Sequence, residues 1–238
     1  MKKLLVLSLV ATLVALVACG KRAGGTCKTG ESTCIEKEKA LTCQGGKFVE
    51  VTCGGPLGCT KYQEHANCDD SVALDGDPCM GDTEEEYACT PDKKRALLCR
   101  NGHYGVFLEC RGKAGCSLLG RTVSCDTSVA AKDDPCKSQG AVACTPDGKE
   151  MVTCRDGKFA RHRYCRGQYG CQSKGDAPTC DETLSLEQDP CGLPGQVVCS
   201  VDAQTELVCQ GGVFVRSRSC RKSGCVVTSR PGRPIECN

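Results

Sequence analysis

Tryptophan is absent from this 238-residue chain, aromatic residues make up only 4% of it, and it has three histidines. A core of ordinary size needs large side chains, so a chain long enough for one or two conventional domains must be stabilised in another way. His65, His103 and His162 occupy non-equivalent places and Cys-x-x-Cys never occurs, which removes the usual spacings for structural zinc and for thioredoxin-like redox chemistry. No nucleophile, base and orienting group recur together, so the reading is non-enzymatic, with no metal and no cofactor. Helical signals are equally scarce. The nearest is a short turn at Thr83 to Tyr87, where three consecutive glutamates leave no apolar stripe to bury.

What the chain has instead is cysteine, 25 of them. Cysteine at this density marks a disulfide scaffold, and disulfides persist only in an oxidising compartment, outside the cytoplasm. The amino terminus points the same way. Lys2 and Lys3 form a basic start, and Leu4 to Ala15 is apolar except for Ser8 and Thr12, too short to span a bilayer comfortably. It ends in Leu16-Val17-Ala18-Cys19, which resembles the lipobox of bacterial lipoproteins. That resemblance implies a signal peptide over residues 1–18, a diacylglyceryl thioether on Cys19, cleavage before it, and acylation, such as palmitate, of the new amino terminus. Gly20 stands where enteric lipoproteins retained in the inner membrane carry Asp, so the resemblance further implies the outer membrane, facing the periplasm or the surface.

Without Lys2 and Lys3, 29 basic residues face 29 acidic ones. A chain so balanced has no field to draw it to nucleic acid or to acidic lipid; the membrane partner is reached through the lipid on Cys19.

Setting Cys19 aside leaves 24 cysteines in four sets of six: Cys27 to Cys68, Cys79 to Cys125, Cys136 to Cys180 and Cys191 to Cys237. Their first members are 52, 57 and 55 residues apart, and ten residues always separate one set from the next. The expected organisation is a tether at 19–26 and repeats at 27–68, 79–125, 136–180 and 191–237. The ten-residue linkers, such as 126–135, are polar and suit exposed, extended joints. The seven residues between Cys19 and Cys27 reach at most about 25 Å, which keeps the first repeat near the membrane.

Within each repeat, the third cysteine is followed by Gly-Gly, Asn-Gly or Asp-Gly and then an aromatic: Phe48, Tyr104, Phe159 and Phe214. These pairs are two-residue hairpin signals. They place each aromatic directly across the ladder from its cysteine, as Cys43 from Phe48. Pro146-Asp147-Gly148 marks an earlier turn in repeat three. Each repeat therefore reads as a three-stranded antiparallel meander followed by a looped C-terminal third, in a small disulfide-rich all-β fold. Gly58, Gly115, Gly170 and Gly224 precede each fifth cysteine, which suggests positive φ or tight approach to a disulfide. Six cysteines allow fifteen pairings, among which a bond between fifth and sixth is the working guess. Each bond closing about fifteen residues contributes roughly 3 kcal/mol. The six-cysteine pattern with a hairpin aromatic resembles the peritrophin-type chitin-binding domain in outline only, since that family has a shorter gap between its second and third cysteines. No residue role is carried across.

The repeated aromatics Phe48, Tyr104, Phe159 and Phe214 are the candidate binding residues, as rings that stack on a sugar or fill a partner's pocket. The alternative, favoured by the lack of other bulk, is that they form each repeat's small core. Arg111, Arg166 and Arg221 follow the fourth cysteine in three repeats, and with Arg161, Arg163, Arg216 and Arg218 they form either a basic stripe or an ordinary solvated face. Together these features point to a lipid-anchored, cysteine-rich protein of the cell envelope that binds a glycan or a surface protein or serves as structure, its copies gaining effective concentration if they bind. An envelope protease inhibitor presenting disulfide-framed loops, such as Ile35 to Thr42 or Thr145 to Thr153, is the alternative.

Overall fold

The computed structural model describes residues 21–79, 85–173, 177–221, 223–230 and 233–237. The leader at 1–18 and Cys19 lie outside the described residues, as do Thr83 and Glu84 of the expected turn. Tyr87, its last residue, opens a strand. Among the described residues the fold is all-β, without helix.

Repeat one contains β1 (Ser32–Glu36), β2 (Lys39–Gln44) and β3 (Lys47–Thr52), then β4 (Cys59–Tyr62) and β5 (His65–Cys68). Repeat two contains β6 (Tyr87–Cys89), β7 (Arg95–Arg100) and β8 (His103–Glu109), then β9 (Cys116–Leu119) and β10 (Thr122–Cys125). Repeat three contains β11 (Val142–Cys144), β12 (Glu150–Arg155) and β13 (Lys158–Tyr164), then β14 (Cys171–Gln172) and β15 (Thr179–Cys180). In repeat four a short β16 (Leu184–Ser185) precedes β17 (Val197–Ser200), β18 (Thr205–Gln210) and β19 (Val213–Ser219), and β20 (Cys225–Arg230) and β21 (Arg233–Cys237) follow.

The meander is present in every repeat, with the hairpin register its turn residues dictate: Cys43 opposite Phe48, Cys99 opposite Tyr104, Cys154 opposite Phe159 and Cys209 opposite Phe214. The C-terminal third differs from expectation. It is a second antiparallel hairpin, with the fifth and sixth cysteines directly opposed, as Cys59 and Cys68 or Cys116 and Cys125. Those two cysteines are not bonded to each other. In all four repeats the first cysteine joins the third, the second the fifth and the fourth the sixth, with Cα separations of 5.0–5.9 Å. A bond between fifth and sixth would close a hairpin that its own backbone hydrogen bonds already close. The observed bonds instead pin the hairpin to both ends of the meander.

Each meander thus has two faces with separate small cores, because alternate residues of a strand point oppositely. In repeat two, Ala88, Leu97, Cys99 and Tyr104 pack on one face with Cys79 and Ala73. Cys89, Ala96, Leu108, Cys110 and Cys116 pack on the other, under the hairpin. A bulge between Ala96 and Leu97 lets Tyr104 and Leu108 take opposite faces.

The linkers are not free joints. Val72 and Val129 form parallel bridges with Cys89 and Cys144, β16 pairs parallel with β17, and Pro78, Pro135 and Pro190 bridge the third strand of the repeat they enter. Each linker therefore crosses the face that carries the aromatic and covers it with a small residue, Ala73 and Ala130 being 4% and 1% exposed. A linker lacking large apolar residues looks solvated in sequence, but backbone pairing needs no side-chain bulk. Each linker ends in Asp-Pro, at Asp77-Pro78, Asp134-Pro135 and Asp189-Pro190, and at two of the three joints that aspartate takes an arginine. Asp134 receives Arg111 of the preceding repeat at 2.8 and 3.3 Å, and Asp189 receives Arg166 at 2.7 and 3.3 Å, both forked pairs. At the first joint Gly54 replaces the arginine, and a Cβ there would lie 2.4 Å from the Val72 carbonyl oxygen. Backbone approach takes the place of the ion pair.

Glycine before the fifth cysteine has the positive φ its position suggested, but its tight approach is to backbone and not to a disulfide. Gly58, Gly115, Gly170 and Gly224 have φ of 57° to 69°, and a Cβ on each would lie 2.5–2.8 Å from a backbone carbonyl of the meander's first turn, not a disulfide.

Asp69, Asp126 and Asp181, each directly after a sixth cysteine, close the loop between fourth and fifth. Their carboxylates accept the backbone N–H of Leu57, Ala114 and Tyr169 at 2.9, 2.9 and 3.0 Å, and a second N–H from Ser71, Ser128 and Thr183. Burial alone would raise these carboxyls, but the hydrogen bonds outweigh it and hold all three below the ordinary aspartate value. A carboxyl held low in the folded state stabilises it above the unfolded value of about 3.9, and that contribution is lost as pH falls through the folded value. Repeats one to three are thus expected to lose stability below about pH 4. Asp181→Ala should remove that acid-sensitive part from repeat three, at about 2 kcal/mol near neutrality. Urea unfolding followed by amide NMR across pH 2–7 measures it; an unchanged acid limb in repeat three of the variant contradicts the assignment.

Candidate binding cleft at a repeat junction

The structure buries all four candidate aromatics. Phe48 is 4% exposed, Tyr104 2%, Phe159 1% and Phe214 0%, the last three clustered with the cysteines of their own first-to-third disulfide. A ring so covered has no face to offer a sugar, which corrects their reading as binding residues in favour of the core. Tyr104 alone keeps a polar contact, its hydroxyl donating to Asp70 Oδ2 at 2.8 Å. Burial, with the Asp70 charge beside it, pushes that phenol far above its ordinary value.

The arginines are mostly paired. Arg161 contacts Glu150 at 2.8 Å, Arg218 contacts Glu206 at 3.0 Å, and Arg163 contacts Glu182 at 3.2 Å, while Arg111 and Arg166 hold the linker aspartates. Arg216 and Arg221 are exposed. Carboxylates interleaved in this way make the face a solvated one rather than a basic stripe. The three histidines have unrelated surroundings. His65 and His103 lie near the carbonyls of Gly30 and Asn101, and His162 accepts from Arg163 Nε at 3.1 Å. Burial, then the charges of Arg163 and Arg155, holds His162 below its ordinary value. Ile35 to Thr42 and Thr145 to Thr153 are strand and tight turn, with Leu41, Thr42, Met151, Val152 and Thr153 buried, and do not stand out as extended loops.

The feature that sequence reasoning missed is a cleft between repeats two and three, of about 290 Å³. It forms where the hairpin-side core of one repeat meets the linker-covered face of the next. Leu108, Val123 and Cys125 contribute one wall; Cys136, Ala141 and Phe159 contribute the other; Ser124, Thr127, Lys137 and Ser138 add polar groups. The Lys137 ammonium lies 4.2 Å from the Phe107 ring centroid and 5.4 Å from that of Tyr87. Each of these residues looks ordinary in the sequence, since their proximity depends on how two repeats stack.

Comparison with protein-family models, with curated proteins and with solved structures finds no match to the chain.

Proposed function

We propose that this chain is a lipid-anchored, non-enzymatic protein of the cell envelope, held in the outer membrane through Cys19, with an ectodomain that acts as a binding or structural element. One observation carries the reading: 24 of the 25 cysteines pair among themselves in twelve disulfides, and the remaining one in the sequence is Cys19, closing an apolar leader. Disulfides in this number require an oxidising compartment, and several acyl chains on the odd cysteine make release from a bilayer very slow.

The resemblance between repeats lies inside them, in cystines, aromatics and turn glycines. Their exposed positions diverge: Leu57, Ala114 and Tyr169 occupy the same loop site, with Leu57 71% and Tyr169 68% exposed. The copies therefore share a scaffold more than a displayed site, which favours one distinctive ligand surface or a structural role over four equal valences for a glycan or surface protein.

Expression of the full chain in a bacterium with phase partitioning in a cloud-point detergent tests the anchor. The native chain should enter the detergent phase and carry acyl mass on an amino-terminal Cys19, and Cys19→Ser should remain aqueous. Recovery of the native chain as an aqueous species without acyl groups would sink the reading. Co-sedimentation of residues 20–238 with insoluble peptidoglycan and polysaccharides then tests the glycan option.

A further inference from the structure

The three junctions between repeats are built from equivalent positions, and they are filled differently. One such position is two residues after the sixth cysteine: Asp70, Thr127 and Glu182. Another is three residues before the second cysteine: Glu86, Ala141 and Gln196. A third, two before the fourth cysteine, is Leu108 where repeat two meets three and Arg163 where three meets four.

At the first junction Asp70 takes the Tyr104 hydroxyl, and Glu86 adds its charge beside the same phenol. At the third, the Arg163 guanidinium pairs with Glu182, which is 7% exposed, and lies so close to Gly192 that a Cβ there would sit 2.3 Å from it. Gln196, half-buried, lies beside the Glu182 carboxylate and hydrogen-bonds it. The middle junction has none of these. Leu108 replaces the arginine, Thr127 the carboxylate, Ala141 the amide and Lys137 the glycine, and Phe159 lacks the hydroxyl that Tyr104 has. All five of these residues line the open space.

We infer that the junction between repeats two and three is a binding site for a compact apolar molecule bearing one anionic group. Its volume, about 290 Å³, is roughly twice the ~150 Å³ that takes up benzene, which suits a bicyclic ring or a short branched alkyl body. Leu108, Val123 and Ala141 supply apolar contact over the buried Phe159 ring, and no carboxylate lines the cleft. Lys137 makes no salt bridge among the described residues. Its ammonium, held over Phe107 and Tyr87, is the group that recognises the anion. The site concerns the ectodomain alone and stands whether or not Cys19 is acylated.

The test titrates residues 20–238, which retain all twelve disulfides, with 2-naphthoate and with its neutral carboxamide, read by calorimetry and by chemical shifts in repeats two and three. Saturable binding of the naphthoate is expected, with shifts confined to the cleft. The quadruple variant Leu108→Arg, Thr127→Glu, Lys137→Gly, Ala141→Gln copies the filling of the third junction and should weaken binding at least about tenfold. Lys137→Gln, a change at an exposed position that leaves the core untouched, should weaken the naphthoate about twofold to fivefold and the carboxamide not at all. No saturable binding to the native ectodomain overturns the proposal. So does undiminished binding to a folded quadruple variant, and so does equal naphthoate affinity in Lys137→Gln, which decides the matter if the quadruple variant does not fold.

Discussion

Phe214→Ala is expected to cost repeat four about 3–5 kcal/mol, the range for deleting a fully buried phenylalanine, and to leave it without a packed native state. The ring is 0% exposed and is the largest member of a cluster with Val198, Leu207, Cys209 and Cys191. A unit of this size rarely draws more than about 3–5 kcal/mol from its core, so the loss is comparable to the whole contribution. The three disulfides of the repeat hold the chain together after the packing is gone. The expected product is therefore a compact, cross-linked but loosely packed repeat with sharp amide signals lost from residues 191–237, while repeats one and two keep theirs. Nearest-neighbour coupling extends a smaller effect into repeat three through Arg166–Asp189 and Arg163–Glu182. Urea unfolding followed by amide NMR measures both. Full retention of the repeat-four signals at native urea midpoint would show that the ring is not the centre of that core.

Removal of the Cys144–Cys171 bridge by paired alanine substitution is expected to destabilise repeat three by about 3.5 kcal/mol, from the unfolded-chain entropy of a loop of separation 27. The bond of separation 15, Cys165–Cys180, gives about 3 kcal/mol by the same reasoning. Chain entropy thus barely distinguishes them. Geometry does: Cys144–Cys171 ties the hairpin to the first strand of the meander, and Cys165–Cys180 ties it to the end of the third. Loss of either leaves β14 and β15, only two residues each, attached at one corner. Both cysteines must be changed together, because a single leftover thiol would exchange with its neighbours. Limited proteolysis between residues 166 and 180 should accelerate in the paired variant and not in the parent. Equal cleavage would mean that the hairpin is held by its backbone contacts instead.

Part of this architecture is legible in the chain because it depends on local geometry. A two-residue Gly-Gly or Asp-Gly loop can join only strands in one register, so Cys154 opposite Phe159 follows from the turn residues alone. Alternation then assigns cysteine and aromatic to the same face. The scarcity of other bulk leads on to the burial of the four rings. The C-terminal hairpin escaped the same logic. Cys171–Gln172 and Thr179–Cys180 are too short to show periodicity, and their pairing is enforced by disulfides on both ends. The linkers escaped it as well, since Val129 and Ala130 dock through backbone hydrogen bonds that composition does not reveal.

The sequence by itself determined the four-repeat cysteine frame and the meander register, since each rests on spacing that no fold can alter. Tertiary structure alone decided which of the fifteen cystine patterns forms, that the linkers pair along the aromatic faces, and that a cleft lies between repeats two and three. Those outcomes depend on which side chains meet across separate strands and separate repeats. Leu108 and Thr127 become the walls of a cleft only when one bead is stacked on the next.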